Sequence, residues 1–98
     1  MTVEIQLTAD GSLRMDAAVA ETFFPNGVLV PLRKGAELWL LPTRGAAAGG
    51  LLLKQSTAAG DRSVLLRGVL DEPVTPGRRS AAWDAAEGAL RVAVDLPP

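Results

Sequence analysis

The chain has 98 residues, 48% of them apolar, and ten Lys and Arg stand against eleven Asp and Glu for a net charge of −1. Those values predict one domain, residues 1–98, close to the smallest size a single core can hold, and they exclude both a disordered chain and a strongly basic nucleic-acid binder. Cys and His are absent, which removes disulfides, thiol nucleophiles, imidazole acid–base chemistry and every Cys- or His-ligated metal site.

The N-terminal stretch Met1 to Asp10 lacks the basic start and continuous apolar core of a secretion signal. No apolar run approaches the roughly 20 residues that span a bilayer. The expectation is a cytoplasmic protein that does not enter a membrane, and the richness in Ala, Gly and Arg suggests a GC-rich bacterial genome.

Val3, Ile5 and Leu7 alternate with Glu4, Gln6 and Thr8, the period of a half-buried strand. Ala9-Asp10-Gly11 supplies a turn, and Leu13 and Met15 continue the alternation in a returning strand. After Asp16, a residue suited to cap a helix, AAVAETFF sets Val19 and Phe23 four apart, and Pro25-Asn26-Gly27 ends the pattern. A helix of about two turns does not hold unaided, so Phe23 and Phe24 have to pack on the sheet.

Val28 to Pro42, VLVPLRKGAELWLLP, places two apolar runs around the link Arg33-Lys34-Gly35-Ala36 and reads as the central β-hairpin. Pro31 cannot donate to a ladder, which predicts an edge or a bulge in the first run. Leu38-Trp39-Leu40-Leu41 leaves no polar face, as expected of a strand covered on both sides, with Trp39 in the core. The small-residue stretch Thr43 to Gly50 reads as a connection. Leu51 to Gln55 and Arg62 to Leu70 read as strands with Gly68 a bulge, and Asp71 to Ser80 as a turn-rich excursion. Residues 80–88 fit either a helix capped by Ser80 or a strand through Trp83 and a turn. The alternation of Leu90, Val92 and Val94 favours the hairpin. The sum is a mostly β fold, a small antiparallel barrel or sandwich of about six to eight strands with one short helix.

The residues left for chemistry are few. Asp71-Glu72 is the only adjacent acidic pair in a turn-rich segment, and Lys54 with Gly60-Asp61-Arg62-Ser63 is the one cluster that two neighbouring strands would bring to a common sheet edge. An Asp–Arg pair beside a hairpin is ordinarily a surface ion pair. The chain is therefore read as non-catalytic, with no cofactor and no metal. Its high apolar content, its proline-marked edge and the run Leu38 to Leu41 point to protein–protein contact or self-association, with Trp39, Leu41 and Pro31 as the candidate interface.

The segment from Leu7 to Pro42 partially resembles one half of the bacterial AbrB/MraZ transcription-factor pattern. In that family a strand passes through an Asp-x-x-x-Arg turn into a short helix and then a hairpin ending in an apolar-aromatic-apolar run before Pro. Asp10 and Arg14 stand at the turn positions here, and Leu38-Trp39-Leu40-Leu41-Pro42 stands in the last strand. The resemblance covers a little over a third of the chain. It implies, as the alternative function, a DNA-binding regulator with Arg14, Arg33 and Lys34 on phosphates.

Overall fold

In the computed structural model, which describes residues 2–43, 49–66, 69–70 and 75–94, the three hairpins read from alternation are all present. β1 (Thr2–Leu7) pairs with β2 (Ser12–Met15), β3 (Val28–Lys34) with β4 (Glu37–Pro42), and β8 (Gly77–Asp84) with β9 (Ala89–Ala93), each antiparallel. The hairpin was the better reading of residues 80–88. The central turn has Gly35 at φ 60° followed by Ala36 without positive φ, the arrangement of a two-residue type II′ loop, which requires glycine at its first position.

Three short strands complete the sheet: β5 (Leu51–Leu52), β6 (Lys54–Gln55) and β7 (Arg62–Leu65). The strand order is β5-β3-β4-β9-β8-β1-β2-β7-β6. Its two ends, β5 and β6, are separated in the chain by Leu53 alone. Leu51–Leu52 pairs with β3 and Lys54–Gln55 with β7, so a single bent strand, Leu51 to Gln55, closes the sheet on itself. Counting β5 and β6 as that one strand turns the nine segments into an eight-membered ring. At the bend, the Leu53 N–H donates to the Gly27 carbonyl at 2.8 Å, and the Leu53 side chain is buried in the interior.

Inward positions of every long strand supply the core: Ile5, Leu7, Leu13, Met15, Leu29, Leu38, Leu40, Val64, Ala81, Leu90 and Val92 are all buried. α1 (Ala17–Phe23) plugs one end. Asp16 caps it, its carboxylate accepting from the Val19 N–H at 2.9 Å, and Val19, Ala20 and Phe23 form its buried stripe. That burial, rather than intrinsic propensity, holds so short a helix. Phe23 stacks on Trp83 of β8 with ring centroids 5.2 Å apart.

Two boundaries differ from expectation. The strand expected to run to Leu70 ends at Leu65, because the Val69 and Leu70 N–H groups turn back to the Leu66 carbonyl. β8 begins at Gly77, inside the stretch expected to be a turn. Arg79 is the reason the pattern misled: it points inward at 7% exposure, donating to the carbonyls of Thr75 and Arg78. The Gly68 bulge, most of the Thr43 to Gly50 connection, Asp71-Glu72 and the terminal prolines lie outside the described residues. Among the described residues no helix is long and apolar enough to cross a membrane.

Candidate functional site

Strand alternation divides the central hairpin into two faces. On β4, Leu38 and Leu40 are fully buried inside, whereas Trp39 and Leu41 are half-buried on the outside. Register sets Leu32 opposite Trp39 and Val30 opposite Leu41 on the same outer face, and Leu32 is 41% exposed. Leu52, opposite Val28 on β5, is 59% exposed. Trp39 thus lies outside the core, contrary to the expectation from its all-apolar surroundings. The outer side of this hairpin is an apolar strip of Val30, Leu32, Trp39 and Leu41.

Long polar side chains partly cover the strip. The Lys34 ammonium stands 4.5 Å from the Trp39 ring centroid and the Arg91 guanidinium 4.8 Å from it, each attracted to the ring's electron-rich face. The Trp39 indole N–H donates to Glu37 Oε1 at 3.2 Å. Arg91 joins Glu37 at 2.6 Å and Asp84 at 3.0 Å. The hydrogen bond from Arg91, and then that from Trp39, holds the Glu37 carboxyl below the ordinary range. Asp84 is lowered by the Glu87 backbone N–H and next by Arg91.

Carboxylates with lowered folded-state values stabilise the fold above their unfolded values, and that contribution is lost as pH falls through the folded ones. The melting temperature of the native protein is therefore expected to drop further between neutrality and about pH 3 than that of a Glu37→Gln, Asp84→Asn variant. Added salt should narrow the gap, since all three groups are partly exposed. Equal drops in both proteins would show that the cluster contributes nothing.

The edge of β3 is less inviting than its face. Beyond Leu29, no strand among the described residues pairs with its outer side. With a two-residue loop the pair Lys34↔Glu37 exchanges both hydrogen bonds, so alternation turns the backbone groups of Arg33 and Pro31 away from β4. Pro31 therefore removes a donor from the open side, a device that blocks strand addition. Of the candidate interface residues, Trp39 and Leu41 share one face; Pro31 marks the neighbouring edge and sits on the opposite parity.

The candidate phosphate contacts are not brought together. Arg33 and Lys34 lie at the tip of the β3–β4 hairpin, whereas Arg14 is on β2, separated from β3 by β7 and the bent strand and from β4 by β9, β8 and β1. Arg14 instead lines a groove of about 290 Å³ with Arg78, Glu4, Asp16 and Asp61, a lining of mixed charge. Asp10 braces the first turn, accepting from the Thr8 hydroxyl and from the Ser12 N–H at 3.1 Å. Lys54 and Asp61 do not converge: Asp61 faces that groove, and Lys54 is exposed on β6 with no ion-pair partner among the described residues. No cluster of acidic groups able to hold a metal ion occurs among the described residues.

Reading by alternation missed Leu32, Leu52 and the Arg91 cluster. Only the even spacing of Val30 and Leu32 on the strand facing Trp39 carried a signal for the strip. No family model, curated protein or solved structure matches the chain.

Proposed function

We propose that this chain is a small non-catalytic binding module that works through protein–protein contact, with the outer face of the β3–β4 hairpin as its contact surface. The observation that carries the reading is the apolar strip itself. Val30, Leu32, Trp39 and Leu41 are contiguous on one outer face, with a half-buried tryptophan at the centre and a charged rim of Lys34, Glu37, Asp84 and Arg91. An aromatic centre with a polar rim is the composition of contact surfaces, and arginine and tryptophan are the residues that most often dominate them. The blocked edge favours a partner that lies across the face over one that adds a strand.

A photoreactive residue placed at position 32 and activated in the producing cell is expected to give a discrete adduct, whereas the same residue at exposed Ser80 gives none. An adduct of twice the chain mass identifies a second copy, and any other mass a different protein. Absence of adducts at position 32 would remove the reading. Retention on duplex DNA at low salt that weakens with Arg14→Ala would replace it with the AbrB/MraZ-like alternative.

A further inference from the structure

We infer that the groove where α1 meets the ends of β4 and β8 is a binding site for a small, neutral, planar apolar molecule that carries one hydrogen-bond acceptor. The groove has a volume of about 480 Å³, within the range of ligand sites and larger than the mixed-charge groove of about 290 Å³ beside Arg14. Phe23, Pro25, Pro42 and Trp83 provide its apolar walls, and Asn26 and Thr43 its polar rim. Among the described residues no ionisable side chain lines it, so a charged ligand would lose hydration with none of them to offset the loss. The walls are fixed in place: Trp83 stacks on Phe23, and Asn26 Nδ2 donates to the Thr43 carbonyl at 3.4 Å, tying the two sides of the rim. Flat rings and proline faces suit a flat occupant.

The acceptor follows from a contrast between the two tryptophans. The Trp39 N–H is bound to Glu37. The Trp83 N–H has no acceptor among the described residues, yet it is not among their buried unsatisfied atoms. Trp83 is half-buried, packed against the core on one side and lining the groove on the other. Its donor is therefore not sealed from solvent, and it is held on a ring whose position is set by stacking. An occupant that stacks within the groove and offers an acceptor satisfies both properties of Trp83 at once.

The test uses quinoline, a neutral bicycle with one ring-nitrogen acceptor, and naphthalene, its carbon counterpart, the latter within its solubility. Both are titrated into the full chain carrying Trp39→Phe, which leaves Trp83 as the sole indole reporter, and are followed by fluorescence and by backbone amide shifts. Saturable binding is expected, with shifts at Asn26 and Thr43 and none at Leu32 or Leu52. Trp83→Phe, which keeps a ring for Phe23 to stack on, is expected to weaken quinoline about fivefold more than naphthalene, the effect of one neutral hydrogen bond. Pro42→Glu, at an exposed position of the wall, is expected to weaken both probes at least about tenfold by placing a charge within the apolar lining, and it keeps the test open should Trp83→Phe not fold. Absence of saturation, equal weakening of the two probes by Trp83→Phe, or shifts centred on Leu32 and Leu52 would each overturn the assignment. Because the readout is at Asn26 and Thr43, its failure leaves the contact role of the outer face standing.

Discussion

Leu40→Ala is expected to lower unfolding stability by about 3–4 kcal/mol, a large part of the roughly 5–15 kcal/mol available to a domain of this size. Leu40 is fully buried on β4, facing the interior between Pro31 on one neighbour and Leu90 on the other. Removing its branched end leaves a void that the surroundings are poorly placed to fill. β4 is hydrogen-bonded on both sides, to β3 and β9, and a ring of strands cannot collapse inward at one position without disturbing the register of its neighbours. The cost should appear as a lower urea midpoint with an unchanged slope. Leu32→Ala, on the adjacent strand but 41% exposed on the outer face, is expected to change stability by no more than about 0.5 kcal/mol. Comparable costs for the two would mean that the inside and outside of the hairpin have been assigned the wrong way round.

That distinction between faces is where reading by pattern reached its limit. Val3, Ile5 and Leu7 declare their face because polar residues separate them, and the same is true of Leu90 and Val92 around Arg91. Leu38 to Leu41 declares nothing, since every position is apolar and either parity fits. The outer cover of Trp39 comes from Lys34 across the turn and from Arg91, which is far along the chain and is brought alongside only by the pairing of β4 with β9. Arg79 shows the converse. A charged side chain at an inward position hid the first residues of β8, because its burial depends on the carbonyls of Thr75 and Arg78, which alternation does not register.

The functional surfaces were legible to different degrees. Trp39 and Leu41 could be singled out because large apolar residues in so short a chain need cover. The groove beside Trp83 could not. The short helix and the need for Phe23 to pack were both readable, but the partner of Phe23 lies on the strand sixty residues later, and nothing local to Trp83 indicates that its indole would be left without an acceptor. Arg14, Arg33 and Lys34 looked compatible with one basic face only while strand order was unknown. The order leaves Arg33 and Lys34 together on β3 and places Arg14 on β2, separated from them by two strands around the ring on one side and four on the other.

Closure of the ring itself rests on a position that composition presents as part of a loose connection. Gly50→Ala is expected to cost about 1–3 kcal/mol, although alanine is elsewhere the mildest replacement for glycine. A Cβ at Gly50 would lie 2.3 Å from Val28 Cγ1 and 2.7 Å from Thr43 Cγ2, closer than atoms can approach. Val28 is buried and stiff at χ1, so relief has to come from the backbone, by moving Leu51 away from Leu29. That pairing, with the Leu53 N–H bond to Gly27, joins the bent strand to β3. Faster amide exchange at Leu53, ahead of any change at Leu38 or Leu90, is therefore expected in the variant. Gly49→Ala provides the comparison: its Cβ would meet nothing within 4 Å, and the penalty is confined to a φ of 88°. A double substitution with Val28→Ala distinguishes the two causes, because truncating Val28 removes the atom that the new methyl meets. The cost of Gly50→Ala should then shrink by about 1 kcal/mol or more in the Val28→Ala background, while that of Gly49→Ala stays the same. Strict additivity at Gly50 would show that the ring closes without the close approach of β3 to the start of the bent strand.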